Sequence, residues 1–227
     1  MTTIGSRIGY DTLELHQGLL LDLQFREGAG AVTHDYAKPH HPMTLVSAPA
    51  WSDIGLTFAG DPDEITCPGA STADLDFTSE DFSLVVWAYS TNLGSANVYM
   101  NRATLDTCGW EWYTANNNLA LRTNQAGSRE GASGMGCVVL NTWQCLGMSR
   151  DGLIGQAYAN GRPVYTLHTT AGLLDPVACG AHTFRVANNP HDNGFRGTLW
   201  RPRIWDRSLT AGEFAHIFES ERHIFGV

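Results

Sequence analysis

Two clusters in this sequence combine residue types and spacing that could do chemistry. The turn Asp61-Pro62-Asp63-Glu64 gathers three carboxylates within four residues, and carboxylate oxygens are the hard ligands that Ca²⁺ takes in sets of about six to eight. His191-Asp192-Asn193 offers further oxygens from a second loop. Asp61, Asp63, Glu64 and Asp192 are therefore the candidate metal ligands, with calcium as the candidate ion and no cofactor required. The competing reading is an acidic turn that is simply solvated. The second cluster is GWEWYTANNN, residues 109–118. Aromatic faces stack on the C–H surfaces of sugars and amides bond their hydroxyls, which makes Trp110, Glu111, Tyr113, Asn116 and Asn117 a candidate glycan site. In a strand, however, Trp110 and Trp112 share one face. The competing reading places that face in a core, with Glu111 and Tyr113 outward; Trp87 and Trp143, inside apolar strands, read as core.

Catalysis finds less support. Glycoside hydrolysis needs two carboxylates placed about 5–5.5 Å apart for retention, and no strand here carries alternating acidic residues in a run. Asp74 and Asp76 alternate, but in a turn-rich lead-in with no third carboxylate, and Glu111 stands alone. No G-x-S-x-G elbow is present. His40-His41 read as loop neighbours pointing different ways into solvent. Cys67, Cys108, Cys137, Cys145 and Cys179 lack the C-x-x-C pairs and histidine spacing of a zinc site. Their odd number leaves at least one unpaired, and the expectation is small buried hydrophobes with no particular pair favoured. The chain reads as a binding or assembly module, not an enzyme.

These residues must be held by strands. With 227 residues, 43% of them hydrophobic, the chain can bury a core of its own as one domain. Only 16% are charged and the net charge is −9, with no basic run. Nucleic acid is thereby excluded as an expected partner, since phosphate binding needs clustered Lys and Arg. No stretch approaches the ~18–20 apolar residues that span a bilayer, so no membrane partner is expected. The first 17 residues show no apolar segment behind a basic start. Either the protein is assembled in the cytosol, as virion components are, or a leader has been trimmed.

In GLLLDLQF, 18–25, Leu19, Leu21, Leu23 and Phe25 fall on one face and Asp22 and Gln24 on the other. Residues 26–42 are rich in Gly, Pro and His and read as a surface loop. Strands follow at 43–48, 55–60, 64–68, 82–90, 98–103, 109–115, 119–125, within 137–150, at 154–164, around 182–187 and at 197–207, with turn residues between them. FSLVVWAYS, 82–90, is apolar on both faces, as a central strand covered on each side should be. Asn160-Gly161 is the strongest hairpin signal, because a type I′ turn needs positive φ at both positions. Thr210 and Glu213 form a capping box ahead of an apolar stripe at Phe214, Ile217 and Phe218, which predicts one helix closing the open end of a sandwich.

The order of these segments resembles the laminin G-like members of the concanavalin A-like superfamily. GLLLDLQFREGAGAVTHDYA (18–37) is similar to the family's opening strand and Gly-rich turn, and GLTFAGDPDEITCP (55–68) to its strand–turn–strand. LDFTSEDFSLVVWAYS (75–90) matches the central strand with Trp87, NTWQCLGMSRDGLIGQAYANGRPV (141–164) the hairpin, and GTLWRPRIWDRSLTAGEFAHIF (197–218) the closing strand and helix. The resemblance implies an all-β, two-sheet antiparallel jelly-roll sandwich over 18–227, with 1–17 as an N-terminal arm or edge segment. It also implies calcium near the acidic turn in some members. One departure bears on this: Trp200 and Arg201 stand where relatives carry an acidic pair, and Pro202, which follows, points to an edge or bulge. The ending LTAGEFAHIFESERHIF is similar to the tails of stand-alone phage-encoded modules. The expectation is a virion accessory, such as a capsid decoration or tail-associated protein, docked on other virion proteins or on itself through the arm. The alternative is a glycan-binding lectin or adhesin, extracellular or at a cell surface.

Overall fold

A computed structural model describes residues 13–94, 97–167, 173–191 and 194–227. Its strands, numbered along the chain, form two antiparallel sheets. The first runs in spatial order Arg162–Leu167 (β14), Ile154–Ala159 (β13), Trp143–Asp151 (β12), Phe82–Ser90 (β7), Arg196–Trp205 (β16), Gly55–Ala59 (β5) and Ala50–Ser52 (β4), with Leu19–Asp22 (β1) also paired to β16. The second runs Ser128–Gly136 (β11), Asn118–Gln125 (β10), Cys108–Ala115 (β9), Asn97–Thr104 (β8), Phe184–Val186 (β15), Glu64–Cys67 (β6), Pro42–Val46 (β3) and Val32–His34 (β2). This is the expected jelly-roll sandwich. No described helix is long and apolar enough to cross a membrane.

The inner faces of both sheets meet in one core that includes Leu84, Val86, Trp110, Trp112, Leu121, Phe184 and Ile204. Alternate residues of the central strands point the other way. On the first sheet that outer face carries Val85, Trp87, Cys145, Tyr158 and Trp205, which the helix Ala211–Glu221 (α2) covers with Phe214 and Ile217. The helix therefore packs flat on a sheet instead of closing the sandwich's open end, and β7 is buried on both sides because of it. The Thr210–Glu213 capping box forms as expected, satisfying helix N–H groups that have no partner within the helix. Asn160 and Gly161 have φ of 50° and 73°, as the hairpin turn requires, and a side chain at Gly161 would run into α2.

The helix is fastened at its far end by a buried carboxylate. Glu221 accepts hydrogen bonds from Arg203 Nη1 and Nη2 at 3.0 and 2.8 Å, from Arg201 Nη1 at 2.9 Å and from the Trp87 indole at 2.8 Å. Arg201 also reaches β1, donating from Nε and Nη2 to the two oxygens of Asp22 at 2.9 Å each. Burial alone would raise the Asp22 carboxyl, but the hydrogen bonds and charge of Arg201 hold it below the usual range. Pro202 marks a bulge between Trp200 and Arg203 in a central strand, not an edge, and Arg201 at φ 55° turns its guanidinium onto both acids.

Several expectations are corrected. A register shift between Leu19 and Leu21 turns Leu19 onto the outer, helix-covered face, while Leu21, Leu23 and Phe25 enter the core. Asp22, expected outward, is buried with Arg201. β2, β4 and β11 lie in segments with no alternating apolar pattern. Cys108 and Cys179 form a disulfide, Cα–Cα 5.1 Å, that ties the loop after β14 to the second sheet, whereas Cys67, Cys137 and Cys145 are free thiols. Of the segment 1–17, residues 1–12 lie outside the described residues; Leu13–His16 (α1) makes one helical turn, and Leu15 is buried, its carbonyl accepting from the Trp205 indole at 2.8 Å.

Removing the Glu221 carboxylate takes the partner from the buried Arg203 guanidinium and leaves Arg201 with Asp22 alone, and breaking such a buried pair costs about 3–5 kcal/mol. Urea unfolding of Glu221→Ala is expected to show a loss of that size. The disulfide closes a loop of 71 residues, and replacing both its cysteines by serine should cost about 4 kcal/mol in the same measurement, on a chain-entropy account.

Candidate functional site

At one edge of the first sheet, the β4–β5 hairpin and the loop after β1 enclose a cleft of about 520 Å³. Trp51, Ser52, Asp53, Ile54 and Gly55 line it from the hairpin, Phe25, Arg26 and Gly28 from the loop, Trp200 from β16 and Ile224 from the turn after α2. Its volume falls in the range of small-ligand sites, which combine apolar walls with a few convergent polar groups. Both indoles are half-buried, while Arg26 and Asp53 are exposed and without a hydrogen-bond or ion-pair partner among the described residues.

Each wall is held in place by residues outside the cleft. The hairpin turn Asp53-Ile54 ends at Gly55, whose φ of +94° suits only glycine and where a Cβ would collide with the Leu199 carbonyl oxygen. The Trp51 indole N–H donates to the Gly30 carbonyl at 2.9 Å, joining the hairpin to the loop. Glu27 pins that loop from the other side, accepting from the His34 backbone N–H at 2.7 Å and the Thr33 hydroxyl at 3.2 Å. Trp200 is held by the edge-on ring of Phe225, centroids 5.4 Å apart, and Phe225 in turn stacks on Trp87 at 4.1 Å.

Behind the loop lies a second buried polar knot. His41 is buried, not solvated, its Nδ1 2.6 Å from Asp35 Oδ2 and its Nε2 3.0 Å from Asp74 Oδ1. Burial disfavours the imidazolium, yet the hydrogen bonds to Asp35 and Asp74 prevail and push its pKa up to about 9. Both ring nitrogens then donate. Asp35 also accepts from the backbone N–H groups of Asp22 and Ala37, at 2.9 Å each, so the knot sets how the chain re-enters after β1.

The candidate glycan residues are not brought together. Trp110 is in the core, its indole N–H donating to the Leu75 carbonyl at 2.8 Å. Glu111 does face the other way, but the segment after β15 lies over it: its carboxylate accepts from Asn101 at 2.8 Å, Asn189 at 2.6 Å and Arg122 at 3.0 Å. Tyr113 is buried with Val98 and Ala120, under the Arg122 guanidinium 4.6 Å from its ring centroid. These three are therefore corrected from ligand contacts to packing and network residues. Asn116 and Asn117 are exposed, in the β9–β10 turn, where Asn116 adopts φ 58°.

The acidic turn is likewise engaged with protein groups. Asp63 accepts from the Ala59 backbone N–H at 2.9 Å, Glu64 pairs with Arg185 at 3.2 Å, and Asp61 accepts from the Asn188 amide at 3.0 Å. Burial raises the Glu64 carboxyl in spite of Arg185, and the Asp61 charge adds to the rise. Asp192 lies outside the described residues. No group of three or more His, Cys, Asp or Glu is placed to hold a metal ion among the described residues.

Residues 66–215 match the laminin G-type family described as the concanavalin A-like lectin/glucanases superfamily. The chain belongs to this family. No curated protein matches it in sequence. Among solved structures it is similar to a botulinum neurotoxin type C structure described as showing that cell entry depends on interaction with two ganglioside molecules (13% identity, TM-score 0.66, covering 92% of this chain and 52% of that one). It is also similar to the serotype G binding domain (16%, TM-score 0.70, covering 88% and 50%) and to the DC binding domain in complex with rat synaptotagmin II (14%, TM-score 0.65, covering 89% and 51%). The chain thus spans about half the length of these structures. At such identities the likeness establishes the fold alone.

Two outcomes follow from this geometry. Gly55→Ala should lower stability by at least the ~1–2 kcal/mol of a left-handed non-glycine residue, read as a fall in melting temperature. Because the folded pKa of His41 lies above its ordinary value of 6.5, its contribution is complete below about pH 6.5 and lost as pH rises through about 9. Unfolding free energy should fall across that window by on the order of 3 kcal/mol, and the fall should vanish in His41→Gln.

Proposed function

We propose that this protein is a non-catalytic recognition module that holds a surface glycan in the cleft between Trp51 and Trp200. The observation that carries the reading is the pairing of two half-exposed indoles with an unpartnered guanidinium and carboxylate around one concavity. Indole surfaces suit the C–H faces of sugar rings, and Asp53 can accept two hydroxyls at once. Asp53 is the one carboxylate among the described residues lining the cleft, and hydrolysis of a glycosidic bond requires two. Glu111, the other isolated acid of interest, is covered and held by three donors. The relatives of this fold that recognise gangliosides or synaptotagmin support recognition of a cell-surface partner as the general role.

A second reading is assembly on a virion, with the N-terminal arm docking on a neighbouring virion protein or on a second copy. The observation in its favour is the anchoring of Leu15 beneath Trp205, which gives the segment before it a fixed point of departure. The Cys108–Cys179 disulfide suits a protein displayed outside the reducing cytosol. Deleting residues 1–12 and measuring retention on particles tests assembly; unchanged retention counts against the arm.

On a glycan array the protein should give saturable, sugar-competable binding, unchanged by a calcium chelator. Trp51→Ala should weaken it at least about tenfold, ~1.4 kcal/mol, with an unaltered circular dichroism spectrum. A silent array would remove the reading, and a chelator-sensitive signal would return Asp61, Asp63 and Glu64 as calcium ligands.

A further inference from the structure

We propose that the cleft selects glycans bearing a carboxylate, such as uronic or sialic acids, with Arg26 as the residue that determines this specificity. The proposal rests on the glycan reading of the same cleft. Most described arginines are tied to carboxylates, among them Arg102, Arg150, Arg201 and Arg203. Arg26 is exposed, lines the cleft, and has no such partner among the described residues. Asp53 lines the same cleft and is not paired with it, so a cation and an anion stand apart across one concavity.

A planar guanidinium presents parallel N–H donors that match the two oxygens of a carboxylate, and a neutral hydroxymethyl group cannot replace that contact. Asp53 has no donor of its own when ionised and takes sugar hydroxyls instead. Its negative charge at the same rim also disfavours a doubly charged phosphate more than a singly charged carboxylate. The chain carries a net charge of −9, so an acidic glycan is not steered in from a distance. Discrimination must arise within contact range, where screening over about 8–10 Å leaves the Arg26 charge effective. Preference should therefore appear as slower dissociation of acidic ligands, without faster association.

Calorimetric titration with matched pairs tests this: sialyllactose against lactose, and a glucuronate-terminated disaccharide against its glucose counterpart. At least one acidic member should bind ten times or more tighter than its neutral partner. Arg26→Gln should abolish the difference by bringing the acidic sugar down to about its neutral partner's affinity, with the melting temperature unchanged, since Arg26 has no hydrogen-bond or ion-pair partner among the described residues. Arg26→Lys should keep part of the preference. Equal binding of acid and neutral sugar in both pairs, or a preference that survives Arg26→Gln, overturns the inference and leaves the glycan reading standing. Absence of binding by every sugar on a broad array removes both.

Discussion

The fold turns on one buried carboxylate, Glu221, held by two arginines and a tryptophan. Through Arg201 the same network reaches Asp22, so the first strand, the closing strand and the C-terminal helix meet at a single cluster of charges. Removing ions from water is costly, and a buried cluster of this kind contributes specificity more dependably than net stability. Here the specificity is positional. The bulge at Trp200–Arg203 can point Arg201 at both acids only if α2 ends where it does, which places Phe225 on Trp87 and Trp200 and sets Ile224 against the cleft.

The cleft is therefore a product of long-range order. Its walls come from the loop after β1, the hairpin before β5, the closing strand and the turn following the helix, none adjacent in sequence. Rigid partners hold each wall: Glu27 and the His41 knot on the loop, Gly55 in the hairpin, Phe225 against Trp200. Such preorganisation lowers the ordering cost of binding.

Much of the sandwich was legible in the chain. Strands such as Phe82–Ser90, Cys108–Ala115 and Trp143–Asp151 alternate or run apolar over lengths that admit few other readings, and Asn160-Gly161 and Thr210–Glu213 act through local chemistry alone. What escaped depends on tertiary context. Alternation shows that Trp110 and Trp112 share a face, but not that on the other face a separate segment would reach Glu111 and Arg122 would lie over Tyr113. The register shift after Leu19 has no local signature. β2 and β11 are held by their neighbours' backbone groups, with little apolar pattern of their own. The Cys108–Cys179 pair joins distant segments, and nothing near Arg26, Trp51 or Asp53 in sequence announces that they converge.

The seven tryptophans provide the most direct test. Their indole N–H resonances can be followed individually by NMR during titration with an array-selected glycan. The account predicts that the Trp51 and Trp200 signals move with ligand, while those of Trp87, Trp110, Trp112 and Trp205, fully buried in the two cores, stay in place. Saturable binding that shifts the Trp110 or Trp112 signal and leaves Trp51 and Trp200 unmoved would contradict it.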